Sequence, residues 1–254
     1  MDTIKPSEMK NDTIVTKETI HRLIKDIKQI MKNPLNDNGI YYIHDDTDML
    51  KGYALIIGPS KTPYFGGNYL FELKYPSDYP HSPPSVTFYT NGDNIRLNPN
   101  LYKCGKVCIS LLNTWHGDQW TSCQTISTVL LTLCTLLCKD PLLNEPGINN
   151  GHDDLQTYNE IIEYANIKIA ICEVVDRKSC HCYDKFNKLY PYINEQFLKN
   201  FEALMQFVNS QPKKKKLIKT GIYTMSVVID YRSLIGKLEL CKQQIESNKI
   251  DIEK

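Results

Sequence analysis

IYYIHDDTDMLKGYALIIGPSKTPYFGGNYLFELKYPSDYPHSPPSVTFY, Ile40 to Tyr89, holds four short runs rich in β-branched and aromatic residues: Ile40 to His44, Leu50 to Ile57, Tyr69 to Tyr75 and Ser85 to Tyr89. Their length and composition predict strands rather than buried helices. The connections are short, so neighbouring strands pair antiparallel in a meander. Between the second and third lies GPSKTPYFGG, Gly58 to Gly67, whose prolines and paired glycines read as a structured turn. A phosphate cradle is a poor reading of it, because no helix follows. The proline-rich run Tyr75 to Pro84 fixes φ repeatedly and removes backbone donors, which makes a stiff loop into the fourth strand. A proline-rich recognition peptide is the competing interpretation.

Outward from the strands, the chain punctuates into helices. Ile20, Leu23, Ile24, Ile27 and Ile30 recur at helical spacing beside the basic His21, Arg22, Lys25 and Lys28, and Pro34 and Gly39 end that helix. Thr121 to Cys138 reads as a strongly apolar helix bracing the sheet, stopped near Pro141. Tyr158 to Val175 reads as a long helix, Phe186 to Val208 as further helical packing interrupted near Pro191, and Leu234 to Ile245 as a short last helix. The expected division is a flexible lead-in over 1–16, a core domain over 17–176, a helical extension packed on the core over 177–210, and a basic linker with a helical tail over 211–254.

Composition excludes several function classes. The formal charge of +1 gives no general attraction to nucleic acid. No run approaches the ~20 apolar residues that span a bilayer, so no membrane partner is expected. Nine cysteines, mostly inside apolar runs, suit a reducing compartment rather than a disulfide framework. The expectation is a cytoplasmic protein, nuclear as well if Lys213 to Lys216 serves as a localisation signal; a linker or an acidic-partner patch would use the same lysines. The abundance of Asn, Ile, Lys and Tyr is what an AT-rich genome encodes, a parasite's or that of a large DNA virus acting in its host cell.

The chemistry concentrates in RLNPNLYKCGKVCISLLNTWHGDQW, Arg96 to Trp120, where Cys108 lies eight residues beyond the second asparagine of Asn98-Pro99-Asn100. A cysteine that forms a transferable thioester needs an accessible sulfur and a neighbourhood that stabilises an oxyanion. Followed by Ile109, Leu111 and Leu112, Cys108 on these residues alone reads more readily as a small buried side chain. Zinc is disfavoured, since the gap between Cys104 and Cys108 is not a structural knuckle's and no second ligand pair follows. Cys180-His181-Cys182 likewise lacks a fourth ligand. A cysteine hydrolase needs a histidine activator, and His116, His152 and His181 have no recognisable peptidase context.

Cys104-Gly105-Lys106-Val107-Cys108 and the Asn98-Pro99-Asn100 triplet resemble the active-site segment of ubiquitin-conjugating (E2) enzymes. The resemblance covers about Thr16 to Gly147 and continues more loosely to about Phe207. It implies an α+β protein with the ubiquitin-conjugating (UBC) fold: a four-stranded antiparallel meander packed against helices, here with a C-terminal helical extension. It implies that Cys108 accepts ubiquitin or a related modifier as a thioester from an activating enzyme, and passes it to a substrate lysine or a ligase cysteine. Asn100 would stabilise the oxyanion or the loop, with Asn98, Pro99 and Trp120 as support, and Asn98 stands where the family usually has histidine. Glu145 would orient the incoming lysine. His21, Arg22 and Lys25 match the face that meets the activating enzyme. His81 and Ser122 occupy the ligase-facing loops, where they depart from the usual residues, so any ligase contact is atypical. No cofactor is bound in this reading; ATP is consumed by the activating enzyme. Asn-Pro-Asn, the tryptophan loop and YNEIIEYANIKIAICEVVD also resemble the large Use1-like subgroup. A non-catalytic E2-like ubiquitin-binding scaffold and an unrelated cysteine hydrolase are the alternatives.

Overall fold

The structure, a computed structural model, describes residues 15–177 and 181–252; residues 1–14 of the expected lead-in and Cys180 lie outside them, as do the side chains of His181 and Cys182. The first helix, α1 (Lys17–Lys32), starts at Thr16, whose hydroxyl accepts from the Thr19 amide. Four strands follow, β1 (Ile40–His44), β2 (Lys51–Ile57), β3 (Asn68–Lys74) and β4 (Ser85–Phe88). They pair antiparallel in sequence order, with Ile40 opposite Ile56, Ala54 opposite Phe71 and Phe71 opposite Phe88. The expected meander is present, within a residue at each strand boundary.

β2 and β3 are buried almost throughout rather than on alternate residues. A sheet does this when both of its faces are covered. On one side sit α2 (Ile126–Thr135) and α3 (Asp154–Ala165), which runs through a π-helical stretch, Asn166–Glu173, into α4 (Val174–Asp176). The expected long helix is therefore continuous but locally widened. At that stretch Asn68 donates its side-chain amide to the Ala170 carbonyl at 3.0 Å, while Tyr69 donates to Asn166 at 2.7 Å. A side chain bonded into the backbone ladder accounts for the departure from α geometry. Gly67 is required here, since an added Cβ would lie 1.9 Å from the Asn166 oxygen.

The other face of the sheet is covered by the 3₁₀ segment His181–Leu189 and α5 (Tyr190–Ser210). Phe186 packs edge-on against Tyr53 and Tyr89, and Tyr192 stacks on Tyr41. Lys185 reaches the buried Glu72 at 3.2 Å. Burial disfavours the Glu72 charge, but the Tyr89 hydroxyl and the Lys185 ammonium outweigh it and hold the carboxyl below its usual range. Pro191 lies in the first turn of α5, where the missing N–H costs nothing, so it starts the helix rather than interrupting it.

The last segment differs from the expected linker and tail. β5 (Lys216–Lys219) and β6 (Ser226–Ile229) form a hairpin, and α6 (Tyr231–Ile252) packs along α5. Ile218, Met225, Ile229, Leu234 and Leu238 join the same hydrophobic core as the sheet. Two of the run's four lysines are paired: Lys215 with Asp230 at 3.0 Å and Lys216 with Glu160 at 2.9 Å. These strands are four residues long and mostly exposed, so their alternation was too brief to register in the sequence. Among the described residues no helix is long and apolar enough to cross a membrane.

Arg22 holds α1 to the rest. Its guanidinium donates to both oxygens of the buried Asp26 and to the carbonyls of Ser122 and Gln124, and Tyr79 donates to Asp26 from the proline-rich loop. Removing one partner of a buried charged pair leaves the other uncompensated. Arg22→Ala is expected to lower stability by about 3 kcal/mol, read by urea denaturation.

Candidate functional site

The Asn98-Pro99-Asn100 triplet runs beside the cysteine loop through isolated bridges, Leu101 facing Val107 and Thr87 facing Lys106. The turn between them needs Gly105, which has φ +88° and would place a Cβ 2.9 Å from the Phe88 carbonyl oxygen. Asn98 is fully buried. Its amide donates to the Tyr64 hydroxyl at 2.9 Å and the Leu136 carbonyl at 2.8 Å, and its oxygen accepts from the Asn100 amide at 2.9 Å. Every hydrogen-bonding position that counts at this depth is used, so the residue is a structural post.

Asn100 and Cys108 are bound to each other twice. The Cys108 amide donates to the Asn100 carbonyl at 2.9 Å, and the Asn100 side-chain amide donates to the Cys108 carbonyl at 2.7 Å. The Asn100 side chain thus holds the backbone of Cys108. The Asn100 side-chain oxygen is buried without a hydrogen bond. Cys108 is only 2 % exposed, whereas Cys104 is exposed. Accessibility of the sulfur, which thioester chemistry requires, is not met in this conformation.

The loop after the cysteine is pinned at both ends and open between. Thr114 accepts from the Ile109 amide at 3.0 Å, Asn113 accepts from the Trp120 amide at 2.9 Å, and the Trp120 indole donates to the Pro80 carbonyl at 2.7 Å. Trp120 is therefore a buried strut to the proline-rich loop, while Asn113 to Gln119 are exposed. His81 and Ser122 are exposed on loops that meet the start of α1, His81 lying 3.5 Å from Glu18. Of His21, Arg22 and Lys25 on that helix, His21 and Lys25 face solvent and Arg22 turns inward.

Glu145 follows the short 3₁₀ turn Pro141–Asn144. Its carboxylate accepts from the Tyr223 hydroxyl at 2.5 Å. The Tyr223 ring lies 5.0 Å from the Arg96 guanidinium, which sits 3.3 Å over Tyr102 on its other contact. Arg96 donates in turn to the carbonyls of Asn98 and Pro99, at 3.1 and 2.5 Å. The structure thereby links Glu145 to the triplet through Tyr223 and Arg96, neither of which the sequence reading assigned. Arg96 opened the decisive stretch; Tyr223, 78 residues from Glu145, carried no local signal. Among the described residues no cluster of three or more His, Cys, Asp or Glu side chains is placed to hold a metal.

Comparison with known proteins bears on the same stretch. A family model described as ubiquitin-conjugating enzyme matches residues 22–165. Ubiquitin-conjugating enzyme E2 Z of Xenopus tropicalis is 35% identical over 237 residues, spanning 90% of this chain and 72% of that protein. The human E2 Z is 43% identical over 164 residues, spanning 63% of this chain and 46% of that protein. The solved structure of human ubiquitin-conjugating enzyme E2 G1 is 32% identical, with a TM-score of 0.42, covering 49% of this chain and 97% of that one. The chain spans about half the length of the human and zebrafish E2 Z proteins.

Burial makes a reactivity prediction. Under brief alkylation followed by peptide mass spectrometry, Cys104 and Cys123 are expected to label well before Cys108. Asn100→Ala, which releases the Cys108 carbonyl, should speed labelling of Cys108 and leave the other two unchanged.

Proposed function

The chain belongs to the ubiquitin-conjugating enzyme family, and from that membership we propose that it carries ubiquitin, or a related modifier, as a thioester on Cys108. The observation that carries this reading is the double pairing of Asn100 with Cys108, which fixes the backbone of the cysteine inside the family's motif. In the charging step the Cys108 thiolate attacks the thioester carbonyl offered by the activating enzyme. A tetrahedral intermediate forms, and the activating enzyme's thiolate leaves. Asn100 acts chiefly by holding the loop, since its amide already serves the Cys108 carbonyl. The sulfur is uncovered by local movement before it reacts.

In discharge the neutral amine of a lysine, or the thiolate of a ligase cysteine, attacks the Cys108 thioester. With lysine the C–N bond forms and the C–S bond breaks, its electron pair leaving on Cys108. Of the two protons lost from the ammonium, one returns to the sulfur and one passes to solvent. Lysine begins with a pKa of about 10.4, so a carboxylate that positions the amine at the thioester and accepts its proton as the C–N bond forms, before passing it to solvent, assists this route. Glu145 takes that part. A thiolate needs no such help.

The exposed His21 and Lys25 form the proposed contact with the activating enzyme, with Arg22 shaping the helix behind them. His81 and Ser122 lie where a ligase would dock, and their departure from the usual residues points to an atypical ligase contact. The Asn-Pro-Asn triplet and the exposed tryptophan loop support placement in the large Use1-like subgroup. ATP is consumed by the activating enzyme, and a reducing, cytoplasmic setting suits the free thiols. Burial of Cys108 favours a second reading, a scaffold that binds ubiquitin without carrying it.

Incubation with ubiquitin, activating enzyme and ATP separates the two. The carrier reading expects a thiol-sensitive adduct that Cys108→Ala abolishes; a folded chain that binds ubiquitin and forms no adduct is a scaffold. Glu145→Ala is expected to charge normally and to lose about tenfold in discharge to free lysine, with discharge to free cysteine unchanged.

A further inference from the structure

The turn between β5 and β6 reaches back to the far side of the candidate site and delivers one hydroxyl to one carboxylate. We propose that Tyr223 is a positioning residue for Glu145, orienting the carboxylate that receives the incoming lysine. The inference rests on the carrier reading above and deepens it, because it makes the C-terminal hairpin a working part of the lysine route.

Glu145 has little to orient it locally. Its backbone amide closes the preceding turn on the Leu142 carbonyl, and it is followed by Pro146 and by Gly147 at φ +82°. Its side chain accepts one hydrogen bond among the described residues, from Tyr223, on Oε2. Oε1 is left to meet a cation. A carboxylate free to rotate would lose entropy on taking up an ammonium, and a fixed one has already done so.

Tyr223, by contrast, is held on several sides. It and Thr224 have φ of +55° and +47°, in the left-handed region that side chains seldom adopt. Such backbone persists only where its surroundings enforce it. Here the Ile222 amide donates to Asp154 at 2.8 Å, Thr220 donates to the Ile222 carbonyl at 2.8 Å, and the Thr220 amide donates to the Met225 carbonyl at 3.1 Å. The Tyr223 ring rests between Arg96 and Tyr158, whose centroid is 6.1 Å away. Met225 and Ile229 anchor the hairpin in the core. Burial, then the adjacent Glu145 carboxylate, push the phenol above its ordinary range, so it stays protonated as a donor.

The pairing also explains why the hairpin should matter to chemistry at a distance. Arg96 bridges the Tyr223 ring to the carbonyls of Asn98 and Pro99, so the carboxylate and the cysteine motif are referenced to one rigid group. An oriented acid is useful only if it is fixed relative to the thioester.

The test compares the full chain with Tyr223→Phe, which keeps the ring and removes the hydroxyl. Each protein is charged with ubiquitin, activating enzyme and ATP, then chased with free lysine or free cysteine. Expected is a fall of about tenfold in discharge to lysine, with discharge to cysteine unchanged, as for loss of a hydrogen bond to a charged group. In the Glu145→Ala background, Tyr223→Phe should have no further effect. An unaltered or faster lysine discharge overturns the proposal, as does an equal fall with both acceptors, an additive double variant, or a folded Tyr223→Phe protein that no longer charges. An intact chain that takes no thioester overturns the carrier reading itself, and the proposal with it.

Discussion

The buried amide of Asn98 is the constraint on which the site depends. Its three hydrogen bonds join the turn after β2 through Tyr64, the end of α2 through the Leu136 carbonyl, and the triplet through Asn100. An amide at this depth is stable only while all of these partners are in place, because an unsatisfied buried polar group costs about 1–3 kcal/mol. Sheet, helix and cysteine loop are therefore set relative to one another by a single side chain. At this position the asparagine amide meets two acceptors and one donor.

From that post outward, the molecule is organised by what covers the sheet. A four-stranded meander with two apolar faces cannot stand alone in water. Helices α2 and α3 take one face, and the segment through Phe186 and Tyr192 takes the other. The C-terminal hairpin and α6 then close over α3 and α5. The extension is in this sense structural, and the turn between its two strands also delivers the Tyr223 hydroxyl to the Glu145 carboxylate.

Two side chains are engaged by a nearer group than the one their motif suggests. Arg22 lies on the basic face of α1, but the adjacent Asp26 is buried, and a buried carboxylate requires a counter-charge more than solvent requires another cation. Asn100 has the amide that oxyanion stabilisation asks for, but the unpaired Cys108 carbonyl lies within 2.7 Å and takes it first. In each case the nearest unsatisfied group decided the role.

The sequence by itself determined the strands, their order and the first helix, because run length, β-branched and aromatic content, helical spacing and proline placement act over a few residues. It also determined the cysteine motif and its family, because the triplet and Cys108 are close in the chain. Tertiary structure alone decided that Cys108 is covered, that Arg22 faces inward, that lysines 215 and 216 pair with carboxylates, and that Tyr223 reaches Glu145. Apart from the pairing of Arg22 with Asp26 one turn along its own helix, these depend on contacts between residues well separated in the chain, which meet only once the core has closed, and no local pattern records which distant partner will be nearest.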